Sequence, residues 1–235
     1  MTAEEARRDL PVPIKGCYVG YAGSTVKSAS GCRYGPEHGK RTIALIGDSH
    51  ATQWEPALEE AATRLGWTVY YFAKTACSVI DTPIWLTQAD GAYAACATWR
   101  HAMVKRVSQI DDLDAVVIAR WADYRRLALA PDGSRAEDDG VFRSLWEAGA
   151  RRTFAALGDV PRIIMIRDTP KAPEDIPSCL SRHPKDPTEC SFDTSKAAHR
   201  DGPLLDAEQA AGGKRLRVVD VTDVICPDER CQVVT

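Results

Sequence analysis

Four consecutive residues, Gly47-Asp48-Ser49-His50, combine the groups that covalent acyl chemistry uses. A serine hydroxyl is a poor nucleophile at its free pKa. It needs a general base within hydrogen-bond reach, itself oriented by a third group. Ser49 and His50 are adjacent, and neighbouring side chains at a strand-helix turn point in different directions. His50 is therefore a poor base for Ser49, and the pair is not a ready-made dyad. A plainer reading makes Ser49 or Asp48 the N-cap of the helix that follows.

The elements around this tetrapeptide decide where it sits. Thr42–Asp48 is a short apolar run ending at glycine and acid, the mark of a strand buried on both faces. Residues 53–65 predict an amphipathic helix with Trp54, Ala57, Leu58, Ala61, Ala62 and Leu65 inward and Pro56 in its first turn. Residues 67–73, 114–121, 161–168 and 216–221 predict four more strands. Between them, residues 93–109, 139–157 and, more weakly, 194–211 predict helices. Phe142, Leu145, Trp146, Phe154 and Leu157 face inward from the longest. Five strand-helix alternations predict an α/β fold with a five-stranded parallel sheet in a three-layer α/β/α, flavodoxin-like arrangement. Residues 1–40 are a glycine-rich, loop-rich lead-in, and residues 41–235 form one domain with no repeat or composition break.

In such folds ligands gather at the carboxyl ends of the strands. Four segments fall there: Asp48-Ser49-His50, Thr75 to Ser78, Arg120-Trp121-Ala122-Asp123 and Asp168-Thr169. The backbone N–H of Ser49, near a helix N-terminus, is suited to face a developing oxyanion.

The bulk composition excludes some classes. A net charge of −3 over 235 residues, with scattered basic residues, gives no nucleic-acid-binding face. No stretch approaches the roughly 20 apolar residues of a membrane span, and the polar N-terminus lacks the apolar core of a signal peptide. Glycine-rich phosphate motifs are absent, so no nucleotide cofactor is implied. The eight cysteines make no CxxC pair, and no histidine flanks them at zinc-ligand spacing, so no metal is implied. An even count favours disulfides and an oxidising compartment. Eight cysteines allow 105 connectivities. The sequential pairing Cys17–Cys32, Cys77–Cys96, Cys179–Cys190 and Cys226–Cys231 closes the shortest loops. Cysteines without a signal peptide suggest a piece of a longer exported chain.

The segment ALIGDSHATQWEPAL resembles block I of the SGNH (GDSL-like) hydrolases. More closely, it resembles the SGNH domain fused to the C-terminal side of acyltransferase-3 membrane proteins, which O-acylate cell-surface glycans in bacteria. GC…CRYG, KTACSV, AVVIARWADY and VVDVTDVICPDERC extend the resemblance over nearly the whole chain. It implies that Ser49 is the nucleophile and that Asp48 shapes its turn. It also implies an oxyanion hole built from the serine N–H, a block II glycine N–H and a block III asparagine. Here the sequence departs from the pattern. Ala76-Cys77-Ser78 replaces the glycine, so a backbone N–H near Cys77 is the candidate donor. Arg120-Trp121 stands where a GxND block belongs. Arg120 is a candidate side-chain donor, or else the partner of Asp48 or Asp168 in a salt bridge. Trp121 is a candidate acyl or sugar platform, or plain packing.

The same resemblance places the catalytic histidine and aspartate in a DxxH block beyond the last strand. None follows Asp220 before Thr235, and His183 and His199 lie far along the chain from Ser49. The expectation is that the catalytic His and Asp are not in this chain, that the native chain continues past Thr235 or has lost that segment, and that these residues alone are inactive. The resemblance further implies an extracytoplasmic domain tethered by an upstream transmembrane acyltransferase domain, an acyl donor and a glycan acceptor. Two other readings share these residues: a secreted carbohydrate or lipid esterase, and a non-catalytic glycan-binding module.

Overall fold

A computed structural model describes residues 16–196 and 201–233. The long strands are β3 (Thr42–Gly47), β4 (Thr68–Lys74), β7 (Ala115–Ala119), β8 (Ile163–Ile166) and β10 (Leu216–Val219). They form a parallel sheet in the order β4-β3-β7-β8-β10. In chain order this is 2-1-3-4-5, the flavodoxin-like arrangement predicted from the alternation. Every residue of β7 is buried, as befits a strand covered on both faces.

Two short strands extend this sheet at the edge of β4: β1 (Tyr18–Val19), parallel, and β2 (Arg33–Tyr34), antiparallel. The lead-in thus contributes two short strands to the sheet, while residues 1–15 lie outside the described residues. The Cys17–Cys32 disulfide joins the two short strands. Lys74, fully buried, donates from Nζ to the carbonyls of Gly20, Tyr21 and Gly23 at 2.6, 2.9 and 2.6 Å. Two small antiparallel pairs lie apart, β5 (Trp85–Leu86) with β6 (Gly91–Ala92), and β9 (Phe192–Asp193) with β11 (Arg230–Cys231).

Helix α1 (Ser49–Leu65) connects β3 to β4, one step leftward in the sheet, so a right-handed crossover puts it on one face. The remaining connections step rightward and put α2 (Ala94–Val107), α3 (Asp139–Ala156) and α5 (Gly202–Gly212) on the other. Two short helices, α4 (Ile176–Arg182) and α6 (Thr222–Ile225), lie outside the predicted elements. All four sequential disulfides are formed.

Helix α1 corrects the sequence reading in detail. It starts at Ser49, four residues early, so Pro56 is an interior proline rather than a first-turn one. Its buried face is Ala51, Thr52, Glu55 and Ala62, while Ala57 is exposed and Leu65 is 46% exposed. A hydroxyl pair turns the helix this way: Thr52 Oγ1 and Tyr71 OH lie 2.8 Å apart beneath it.

Candidate active site

Asp48 caps α1 by accepting the N–H of His50 at 2.7 Å. It is fully buried, and its second oxygen accepts the Trp121 N–H at 2.9 Å and the Tyr124 hydroxyl at 2.6 Å. Burial pushes its carboxyl up from the ordinary value, against the pull of His50 and the three donors. Asp48 therefore shapes the turn and cannot face substrate. Gly47 makes the turn possible: a Cβ there would lie 1.9 Å from the Ala119 carbonyl of β7. Ser49 becomes the first helical residue, exposed, with its N–H at the open helix end. It sits between β3 and β7, where the strand order reverses and binding sites of open α/β sheets form.

His50 has a partner that its place in the sequence does not show. Its Nδ1 lies 2.5 Å from Asp168 Oδ1. The other Asp168 oxygen accepts the Ala122 N–H at 2.8 Å, and Oδ1 also accepts the Thr169 N–H at 3.0 Å. Burial alone would lower the His50 pKa, but the Asp168 hydrogen bond and the Asp48 and Asp168 charges raise it. His50, Trp121, Ala122, Asp123, Asp168, Thr169 and Lys171 line a cleft of about 210 Å³. Asp168 had been placed at a strand end, yet nothing in the sequence pairs it with a residue 118 positions away.

The other candidates fall elsewhere. Arg120 is 2% exposed and grips Glu208 of α5 through Nε and Nη2, both at 2.7 Å. Glu208 Oε1 also accepts the Trp146 indole N–H at 2.9 Å. Arg120 is thus a structural cation whose partner is neither Asp48 nor Asp168, and it offers no substrate donor. The Cys77 N–H is spent on the Lys74 carbonyl at 3.2 Å and its sulfur on Cys96, so Cys77 supplies no oxyanion donor either. Trp121 is half-buried on the cleft wall, its ring edge-to-face with Tyr124 at 5.7 Å, a position that permits a platform. His183 ends α4, and His199 lies outside the described residues.

Among the described residues no helix is long and apolar enough to cross a membrane. No curated protein matches the chain. In structure the chain resembles the periplasmic domain of a lipopolysaccharide acetyltransferase from Salmonella ser. Paratyphi A. The TM-score is 0.60 at 15% identity, over 94% of this chain and 79% of that one. A protein described as a GDSL-like lipase from Bacteroides ovatus ATCC 8483 has a TM-score of only 0.43 at 10% identity, over 81% of this chain and 45% of that one. The sequence pattern of the family described as "SGNH domain (fused to AT3 domains)" matches residues 16–235. The GDSH turn, the parallel sheet and this match agree, and the chain belongs to that SGNH family.

Proposed function

We propose that the chain is the extracytoplasmic SGNH domain of an O-acyltransferase that moves an acyl group, in the simplest case acetyl, onto a cell-surface glycan. The observation that carries this reading is the exposed Ser49 hydroxyl at the first turn of α1, on a strand-end turn that buried Asp48 fixes. Ser49 Oγ attacks the acyl carbonyl, a C–O bond forms, and the serine proton passes to a general base. Collapse of the tetrahedral intermediate expels the donor and leaves an acyl-Ser49 ester. A glycan hydroxyl then attacks that ester, and Ser49 is regenerated. The base in this reading is the histidine of a DxxH segment. The upstream partner is the membrane acyltransferase domain that the family's fusion supports. The cleft lined by His50, the residue next to Ser49, with Trp121 on its wall and Lys171 and Asp123 at hand, is the place for the acceptor sugar.

The test is made in the producing cell with the full-length protein. Ser49→Ala should remove the O-acyl groups from the surface glycan, read by mass spectrometry of the released sugar. Full acylation in the Ser49→Ala strain would overturn the reading.

A further inference from the structure

Acyl transfer through Ser49 creates a negative charge on the carbonyl oxygen, and enzymes meet it with pre-aimed hydrogen-bond donors. Several hydrogen-bond donors near the strand ends are already engaged. The Cys77 N–H is on Lys74, the Arg120 guanidinium is on Glu208, and the N–H groups of Trp121 and Ala122 are on Asp48 and Asp168. The Ser49 N–H, at the open helix end, is one donor. A second can come from a side chain at a neighbouring strand end.

The sheet order shows where. β7 lies between β3 and β8, so the His50–Asp168 hydrogen bond, which joins the ends of β3 and β8, has to pass over the end of β7. Neighbouring strands are about 4.8 Å apart, so the two side chains together span roughly 10 Å. The imidazole therefore occupies the space above the β7 turn. With a carboxylate at 2.5 Å, Nδ1 must carry a proton, which leaves Nε2 as the ring's other nitrogen on a residue that lines the open cleft.

We propose, resting on the Ser49 reading, that His50, anchored through Nδ1 on Asp168, presents Nε2–H as the side-chain hydrogen-bond donor to the oxyanion formed at Ser49. No bond of His50 breaks in the step. The carbonyl π pair moves to oxygen as Ser49 Oγ bonds to carbon, Nε2–H stabilises that oxygen, and the serine proton goes to the separate base. The charged groups around His50 favour the protonated ring: Asp168 and Asp48 raise its pKa, while Arg120 opposes them. Asp123 and Lys171 face the same cleft. A histidine acting as base would need the opposite protonation state and a hydrogen bond to Ser49. No such bond exists among the described residues.

The experiment compares kcat and KM of the full-length protein with an activated acetyl ester across pH, for wild type, His50→Gln, His50→Ala and Ser49→Ala. Glutamine can still donate from its amide but cannot act as a base. His50→Ala should lower kcat by about 10²–10³-fold with KM little changed, His50→Gln should recover most of that loss, and wild-type kcat should fall as the ring deprotonates. A His50→Gln enzyme as slow as His50→Ala would make His50 a base and overturn the proposal. So would wild-type activity in His50→Ala while Ser49→Ala is inert. Activity retained in Ser49→Ala would instead overturn the Ser49 reading itself. Nitrogen-15 NMR of His50 in the unmutated protein reads the same point without turnover. A protonated Nε2 persisting above pH 6.5 is expected, and a bare Nε2 throughout pH 6–8 would overturn the proposal.

Discussion

Individual residues at this site act through protons they share. His50 in the fold holds its proton above the ordinary histidine value of 6.5, because Asp168 and Asp48 outweigh the effect of burial. The unfolded chain loses that advantage. The contribution to folding stability is therefore fully present below pH 6.5 and fades as pH rises through the folded-state value. Asp168→Asn removes the main anchor, so the fall in stability with rising pH should flatten in this variant. Urea unfolding at several pH values checks this, and an unchanged slope would show that Asp168 does not hold the proton. The helix cap at Asp48 was legible because small and polar groups between a buried strand and a helix have few alternatives. Arg120 was misread because its partner Glu208 lies 88 positions away on a helix that the periodicity marks only weakly. Side-chain pairing across such distances leaves no trace in local spacing, and the same blindness concealed the bond from His50 to Asp168.

At the scale of elements, long-strand assignments agreed with the structure to within a few residues: inner strands such as β3 and β7 are continuously apolar because both faces are buried, while the edge strand β10 exposes Arg217 and Val219. The start of α1 was less legible. Its first turn, Ser49 to Thr52, is polar or small, and the helix begins there because Asp48 caps it and the sheet ends at Gly47. The short strands β1 and β2 had no periodicity to detect, since two residues cannot display one. They persist through their anchors. The Cys17–Cys32 loop, 15 residues in sequence separation, stabilises by up to about 3 kcal/mol in the chain-entropy model. Replacing both cysteines by serine should lower stability by an amount of that order. It should also speed amide exchange along β4 beside β1 and β2, as measured by hydrogen–deuterium exchange. Undisturbed protection of β4 would mean that Lys74 and its three carbonyls suffice.

Across the whole molecule, the buried Arg120–Glu208 pair joins the end of the central strand β7 to α5, with Trp146 of α3 attached to the same carboxylate. Removing one partner strands a buried charge, at a cost of about 3–5 kcal/mol. Glu208→Leu should show that loss in thermal unfolding, and Arg120→Met combined with Glu208→Leu should recover much of it. A single variant within about 1 kcal/mol of wild type would show that solvent reaches the pair. The overall architecture was legible from the alternation of elements, while this internal strut was not, because its members look like ordinary surface charges. The stitched edge of the sheet has a mechanical meaning as well. A load applied at Gly16 meets the Cys17–Cys32 link after one residue and passes through β1 to β4, which pairs directly with β3, the strand that ends at Gly47, two residues before Ser49. On the Ser49 reading proposed above, a pull on this stitched edge is expected to reach the nucleophile as a change of aim, because β4 alone stands between that edge and β3.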